Sequence, residues 1–100
     1  IDALRSVVKA ARQTRTYVRY LDDHGTQNHH KEAELSELWT ALGFRLEDLG
    51  LSALAKRCDI SGRYWSDPQQ FEPGFLKRAD IGLARMEKLS RNLINELTRS

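Results

Sequence analysis

Apolar residues recur along most of the chain at alternating steps of three and four, the spacing that gathers them on one side of an α-helix. Leu4, Val7, Ala11, Thr14, Val18 and Leu21 form one such seam, widened by Val8, and predict a helix over 3–23. Gly25 is the first helix-breaking residue after it, so the turn is expected at 24–28. A second and more regular seam, Leu35, Leu38, Trp39, Leu42, Leu46 and Leu49, predicts a helix from about 29 to 49. Asn28 is placed to cap its start, and Glu32 and Glu34 fall in the first turns, where the helix dipole favours negative charge. Gly43 inside this seam marks a kink or a close helix contact, and Gly50 ends the helix.

Ser52 is placed to cap a third helix, whose inner face carries Leu51, Leu54, Ala55 and Cys58. Two ends are open to it: a stop at Ile60, or a continuation through Gly62 that keeps Leu54, Cys58, Ser61 and Trp65 on one side. Asp67-Pro68 stops it in either case, because proline pushes the preceding residue out of helical geometry. Residues 69–74 then read as a loop, and Pro73 suits the first turn of a last helix over roughly 74–98. Its stripe is Leu76, Ala79, Leu83, Met86, Leu93 and Leu97, with Leu89 and Ile94 beside it. No segment alternates polar and apolar residues as a half-buried strand does. The predicted class is all-α: a compact antiparallel helical bundle of three long helices and one shorter helix, forming a single domain over 1–100. Its core is expected to contain Val18, Leu21, Leu35, Leu38, Trp39, Leu42, Leu46, Leu83, Met86 and Leu93.

Composition narrows the class without naming a function. A chain of 100 residues with 40% hydrophobic side chains has enough apolar surface for its own core and too much for a disordered segment. No apolar run approaches the length of a membrane span, and Ile1-Asp2-Ala3-Leu4-Arg5 lacks the basic-then-apolar order of a signal peptide. The chain opens on Ile1 and its one methionine is Met86, as in a processed product or a domain cut from a longer chain. A single cysteine, Cys58, has no partner for an internal disulfide, which fits a reducing compartment and an expected cytoplasmic location.

Net charge is only +2, but its distribution is uneven. Residues 1–24 carry five basic and three acidic side chains, 25–50 two and five, 51–74 three and three, and 75–100 six and three. The first and last helices are therefore basic and the second acidic, by pairing between helix surfaces or by facing an acidic partner. Arg5, Lys9, Arg12 and Arg19 lie along one side of the first helix, with no acid between residues 3 and 21. Such a row is either an ordinary solvated back or a track for phosphates. A second feature points the same way. Residues 54–65, Leu-Ala-Lys-Arg-Cys-Asp-Ile-Ser-Gly-Arg-Tyr-Trp, resemble the two-helix rhythm of the helix-turn-helix family, which would make 52–66 a degenerate DNA-reading motif. Asp59 stands where that turn usually has glycine, and Pro68 would leave a recognition helix of about two turns.

Tyr64, Trp65 and Phe71 make the densest aromatic cluster. Trp65 reads as a plug at one end of the bundle, with Tyr64 turned outward. A short, glycine-containing third helix would then leave an apolar strip near Tyr17, Tyr20, Tyr64 and Phe71, of the kind that marks an interface. His24, His29 and His30 sit in a polar turn, and adjacent histidines at a helix start point in different directions, so no metal site is expected. A thiol on an apolar stripe has its pKa raised and is unreactive, and no nucleophile or phosphate-loop motif is present, so neither a catalytic residue nor a cofactor nor a small-molecule substrate is expected. The expected function is a non-enzymatic helical interaction or adaptor module, as a homodimer or a partner-bound subunit. The alternative is a nucleic-acid binder using the basic faces of the first and last helices.

Overall fold

The computed structural model describes residues 1–70 and 75–99, with side chains at all of these except 75–81. Four α-helices follow one another: α1 (Asp2–His24), α2 (His29–Asp48), α3 (Ser52–Ser66) and α4 (Phe75–Thr98), with one 3-10 turn at Pro68–Gln70. The expected all-α antiparallel bundle is the observed one. Phe71 and Pro73 lie outside the described residues.

The helix ends follow local chemistry. Gly25 (φ 68°) and Gly50 (φ 78°) take the left-handed conformation that other residues adopt only with strain, and each closes a short hairpin between antiparallel helices. The Asn28 side chain accepts the Lys31 backbone N–H at 3.0 Å, which caps α2 as its sequence implies. Ser52 departs from expectation. It is the first residue inside α3, and Leu51 holds the cap position with no side-chain bond.

Helix α3 is continuous from Ser52 to Ser66, so the second of its two ends is correct and the helix-turn-helix resemblance is not realised. Asp59, the would-be turn residue, sits mid-helix and pairs with Arg63 one turn on at 3.0 Å. Gly62 stays helical because α2 lies directly against it. A Cβ there would collide with Thr40 Oγ1 and stand 3.2 Å from the Thr40 nitrogen and 3.3 Å from the Ser36 carbonyl oxygen. The Ser36 hydroxyl donates to the Gly62 carbonyl at 2.8 Å across the same contact. Gly43 faces α3 from the other helix, where a Cβ would stand 3.4 Å from the Ala55 carbonyl oxygen and 3.6 Å from the Cys58 Cβ, contact without collision. Of the two meanings open to Gly43, close contact is the one realised.

Trp39 stands at the junction of α1 and α2 with no exposed surface, its indole N–H donating to Thr14 Oγ1 at 2.9 Å. Thr14 in turn donates to the Ala10 carbonyl at 2.8 Å, so both polar groups are satisfied inside the core. Leu4, Val7, Ala10 and Ala11 of α1, Leu35, Leu42 and Leu46 of α2, Leu54, Cys58 and Trp65 of α3, and Leu83 and Met86 of α4 complete that core. Val18, Leu21, Leu38 and Leu93, expected inside, are only half-buried at its edge. Leu49 and Leu97 are mostly exposed, Leu49 just past the end of α2 and Leu97 in the last turn of α4.

Candidate binding surfaces

Two of the four residues of the aromatic strip expected at Tyr17, Tyr20, Tyr64 and Phe71 are buried rather than exposed. Tyr17 is 4% exposed and Tyr64 6%, while Tyr20 is partly open and Phe71 lies outside the described residues. The continuous α3 explains this. It carries Trp65 over the end of α1, where its ring meets Tyr17 edge-on at 5.5 Å and Tyr64 edge-on at 4.8 Å. Trp65 is the plug its position implied, and Tyr64 is drawn inward with it rather than turned out.

Glu32 supplies the polar partner that lets Tyr17 be buried. The Tyr17 hydroxyl donates to Glu32 Oε2 at 2.8 Å and accepts the Asn28 backbone N–H at 2.9 Å. Gln27 Nε2 donates to the same carboxylate oxygen at 3.3 Å. Burial pushes the Tyr17 pKa up to about 12, the Glu32 carboxylate adds to the rise, and the bond to the Asn28 backbone opposes it. Tyr64 is raised for the same first reason, with the Glu32 charge second. This cluster ties α1 to the start of α2, which is a structural role. Its sequence signal was available: Glu32 stands three residues before Leu35 and seven before Trp39, on the buried seam itself.

The basic row on α1 is exposed as its spacing implies, and the fold adds a second row to it. Arg5, Lys9 and Arg12 line one side of a groove of about 660 Å³, and Lys88 and Arg91 of α4 line the other. Val8, Ala84 and Ile94 supply its apolar part and Asn92 and Asn95 its amides. Among the described residues Glu87 is the one carboxylate in the lining, held at 3.2 Å from Arg12 Nε and 3.8 Å from Arg91 Nε. Arg19 is exposed on the same side of α1 but does not line the groove. The α4 contributors were invisible in the sequence except as a surplus of basic residues, since nothing local aligns them with α1.

On the other helix pair, the outer face of α2 and the chain at 65–69 form a groove of opposite character. Glu32, Glu37 and Asp67 line it, together with Ala33, Ala41, Phe44 and Pro68, and no Lys or Arg does among the described residues. Phe44 is 66% exposed, the most open of the large apolar side chains described.

The remaining reactive groups have other roles. Cys58 is fully buried, and loss of hydration alone pushes its thiol up to about 12, so it is poorly nucleophilic at neutral pH. His24 stacks on Tyr20 at 4.4 Å, and His30 reaches Glu34 at 3.0 Å. No three His, Cys, Asp or Glu side chains converge as metal ligands among the described residues. No described helix is long and apolar enough to cross a membrane. Comparison with protein-family models, curated proteins and solved structures finds no match to this chain.

Proposed function

We propose that the chain is a non-catalytic helical binding module whose recognition surface is the basic groove between α1 and α4, and that this groove takes an acidic, amphipathic segment of a protein. The observation that carries the reading is the convergence of five basic side chains from two helices, with a single carboxylate, beside the apolar side chains Val8, Ala84 and Ile94. Phosphate tracking alone would use the cations and leave the apolar residues idle. An amphipathic helix uses both. Among the described residues the groove also lacks the aromatic side chains on which single-stranded bases stack. The chain's one thiol, buried and free, supports a cytoplasmic setting.

Fluorescence anisotropy tests the reading, with a labelled acidic amphipathic peptide and a labelled random DNA duplex as separate ligands. The peptide is expected to bind with a Kd on the order of micromolar, and the pair Lys9→Glu and Lys88→Glu to abolish that binding. Tighter binding of DNA than of peptide at about 150 mM salt, lost in the same variant, would transfer the groove to the nucleic-acid reading.

A further inference from the structure

The two charged grooves are complementary, and they belong to different helix pairs. One presents Arg5, Lys9, Arg12, Lys88 and Arg91 around Val8 and Ile94, and the other Glu37 beside the protruding Phe44 on the solvent face of α2. No residue lines both, so one copy of the chain cannot satisfy its own groove with its own α2 face. We infer that the occupant of the basic groove is the outer face of α2 from a second copy, with Phe44 seated against Val8 and Ile94 and Glu37 among the cations. The inference rests on the groove reading above and specifies its partner.

Three observations carry it. First, the charges oppose among the described residues: the α1–α4 groove holds five cations to one carboxylate, whereas the α2 groove presents Glu37 and Asp67 with no Lys or Arg, His29 being its basic side chain and its third carboxylate, Glu32, being buried against Tyr17. Opposite potentials of this kind steer encounter and set register. Second, Phe44 is an aromatic left in water near the end of α2, with the small side chains Ala33, Thr40 and Ala41 and the Glu37 carboxylate sharing its groove. Aromatic anchors set among small residues are what docked helices use. Third, α2 is a rigid helix of 20 residues, so its face is already ordered before it docks. Because the two surfaces differ, the contact is heterologous. It propagates from copy to copy, closing into a ring or continuing as an open chain.

Sedimentation velocity on two variants and their mixture tests this. The first, Lys9→Glu with Lys88→Glu, destroys the groove and keeps the α2 face. The second, Glu37→Gln with Phe44→Ala, destroys the face and keeps the groove. All four positions are exposed, and thermal melts superimposable on the parent's establish that both variants fold. The parent is expected to grow in mass with concentration beyond a dimer, and to dissociate about tenfold more readily when salt rises from about 50 to 200 mM. Each variant alone should be monomeric. Their equimolar mixture should form a dimer and nothing larger, since only one compatible pair of surfaces remains. A parent that is monomeric at all concentrations at low salt overturns the inference, as does a variant that still self-associates or a mixture that stays monomeric. In a monomeric parent, binding of the acidic peptide to the groove would leave the module reading standing with a different partner. Absence of peptide binding as well would remove both.

Discussion

The two helix pairs of this bundle use their residues in opposite ways. Between α2 and α3 the backbones touch through Gly62 and Gly43, and a serine hydroxyl bridges the contact. The buried tyrosines beside that pair have found partners in Glu32 and Trp65. Between α1 and α4 the arrangement is looser. Ser90 is completely buried with no hydrogen-bond partner for its hydroxyl among the described residues, and the charged side chains gather on the outside of the pair. One pair is fitted for stability. The other leaves an unmet polar group inside and a charged groove outside, a pattern common where a surface is kept for binding. Surface ion pairs such as Arg12–Glu87 contribute little to folding, so the groove's charges can be reversed without unfolding the chain.

The contrast is broken most directly by adding one methyl group to each pair. Gly62→Ala drives a Cβ into Thr40 and the α2 backbone, and overpacking of this kind costs about 1–3 kcal/mol even though alanine is the better helix former. Gly82→Ala in α4 meets nothing within 4 Å among the described residues and should instead stabilise by about 0.5–1 kcal/mol. Urea unfolding of the two variants reads the difference as midpoints moving in opposite directions. Equal shifts would show that the two pairs are packed alike.

Alkaline pH tests the buried titrating groups, Tyr17 on α1 and Cys58 and Tyr64 on α3. Tyr17 and Cys58 have pKa values near 12 in the folded chain, raised from 10.0 and 9.0, and Tyr64 is raised as well. Above pH 9 the unfolded chain therefore gives up protons that the folded chain keeps, and the difference favours unfolding increasingly up to about pH 12. Below pH 9 these groups are protonated in both states and contribute no slope. Melting temperatures should accordingly hold level from these groups up to pH 9 and fall beyond it. Tyr17→Phe combined with Cys58→Ala should flatten the fall, and an undiminished fall in that variant would place the cause in groups other than these two.

A further small effect is expected at Ser90. Replacing an unpartnered buried hydroxyl by a methyl group removes a desolvation cost, so Ser90→Ala should raise stability by about 1 kcal/mol. A rise in the urea midpoint at constant slope checks it. A loss of stability would mean that the hydroxyl has a partner and that α1–α4 is as well satisfied as its neighbour.

Much of this fold is legible in the chain itself, because the relevant physics is local. Seams at steps of three and four, Asn28 before α2 and glycines at 25 and 50 act within one or two helical turns, and they determined the number of helices, the turns after α1 and α2 and the antiparallel course. Which side chains the stripes bury is a different matter, since a stripe wide enough to pack is wider than the strip a neighbour covers. Only the tertiary structure put Tyr17 and Tyr64 inside while leaving Tyr20 and Phe44 open, and only it showed that Glu32, on the seam, is held there by a tyrosine fifteen residues away. It also decided that Gly62 is a contact surface rather than a weak point, because that depends on Thr40 and Ser36 arriving opposite it. The groove is the clearest case: Arg5, Lys9 and Arg12 were a row on one helix, and Lys88 and Arg91 join them because α1 and α4 pack side by side, an alignment set by long-range packing that no local pattern encodes.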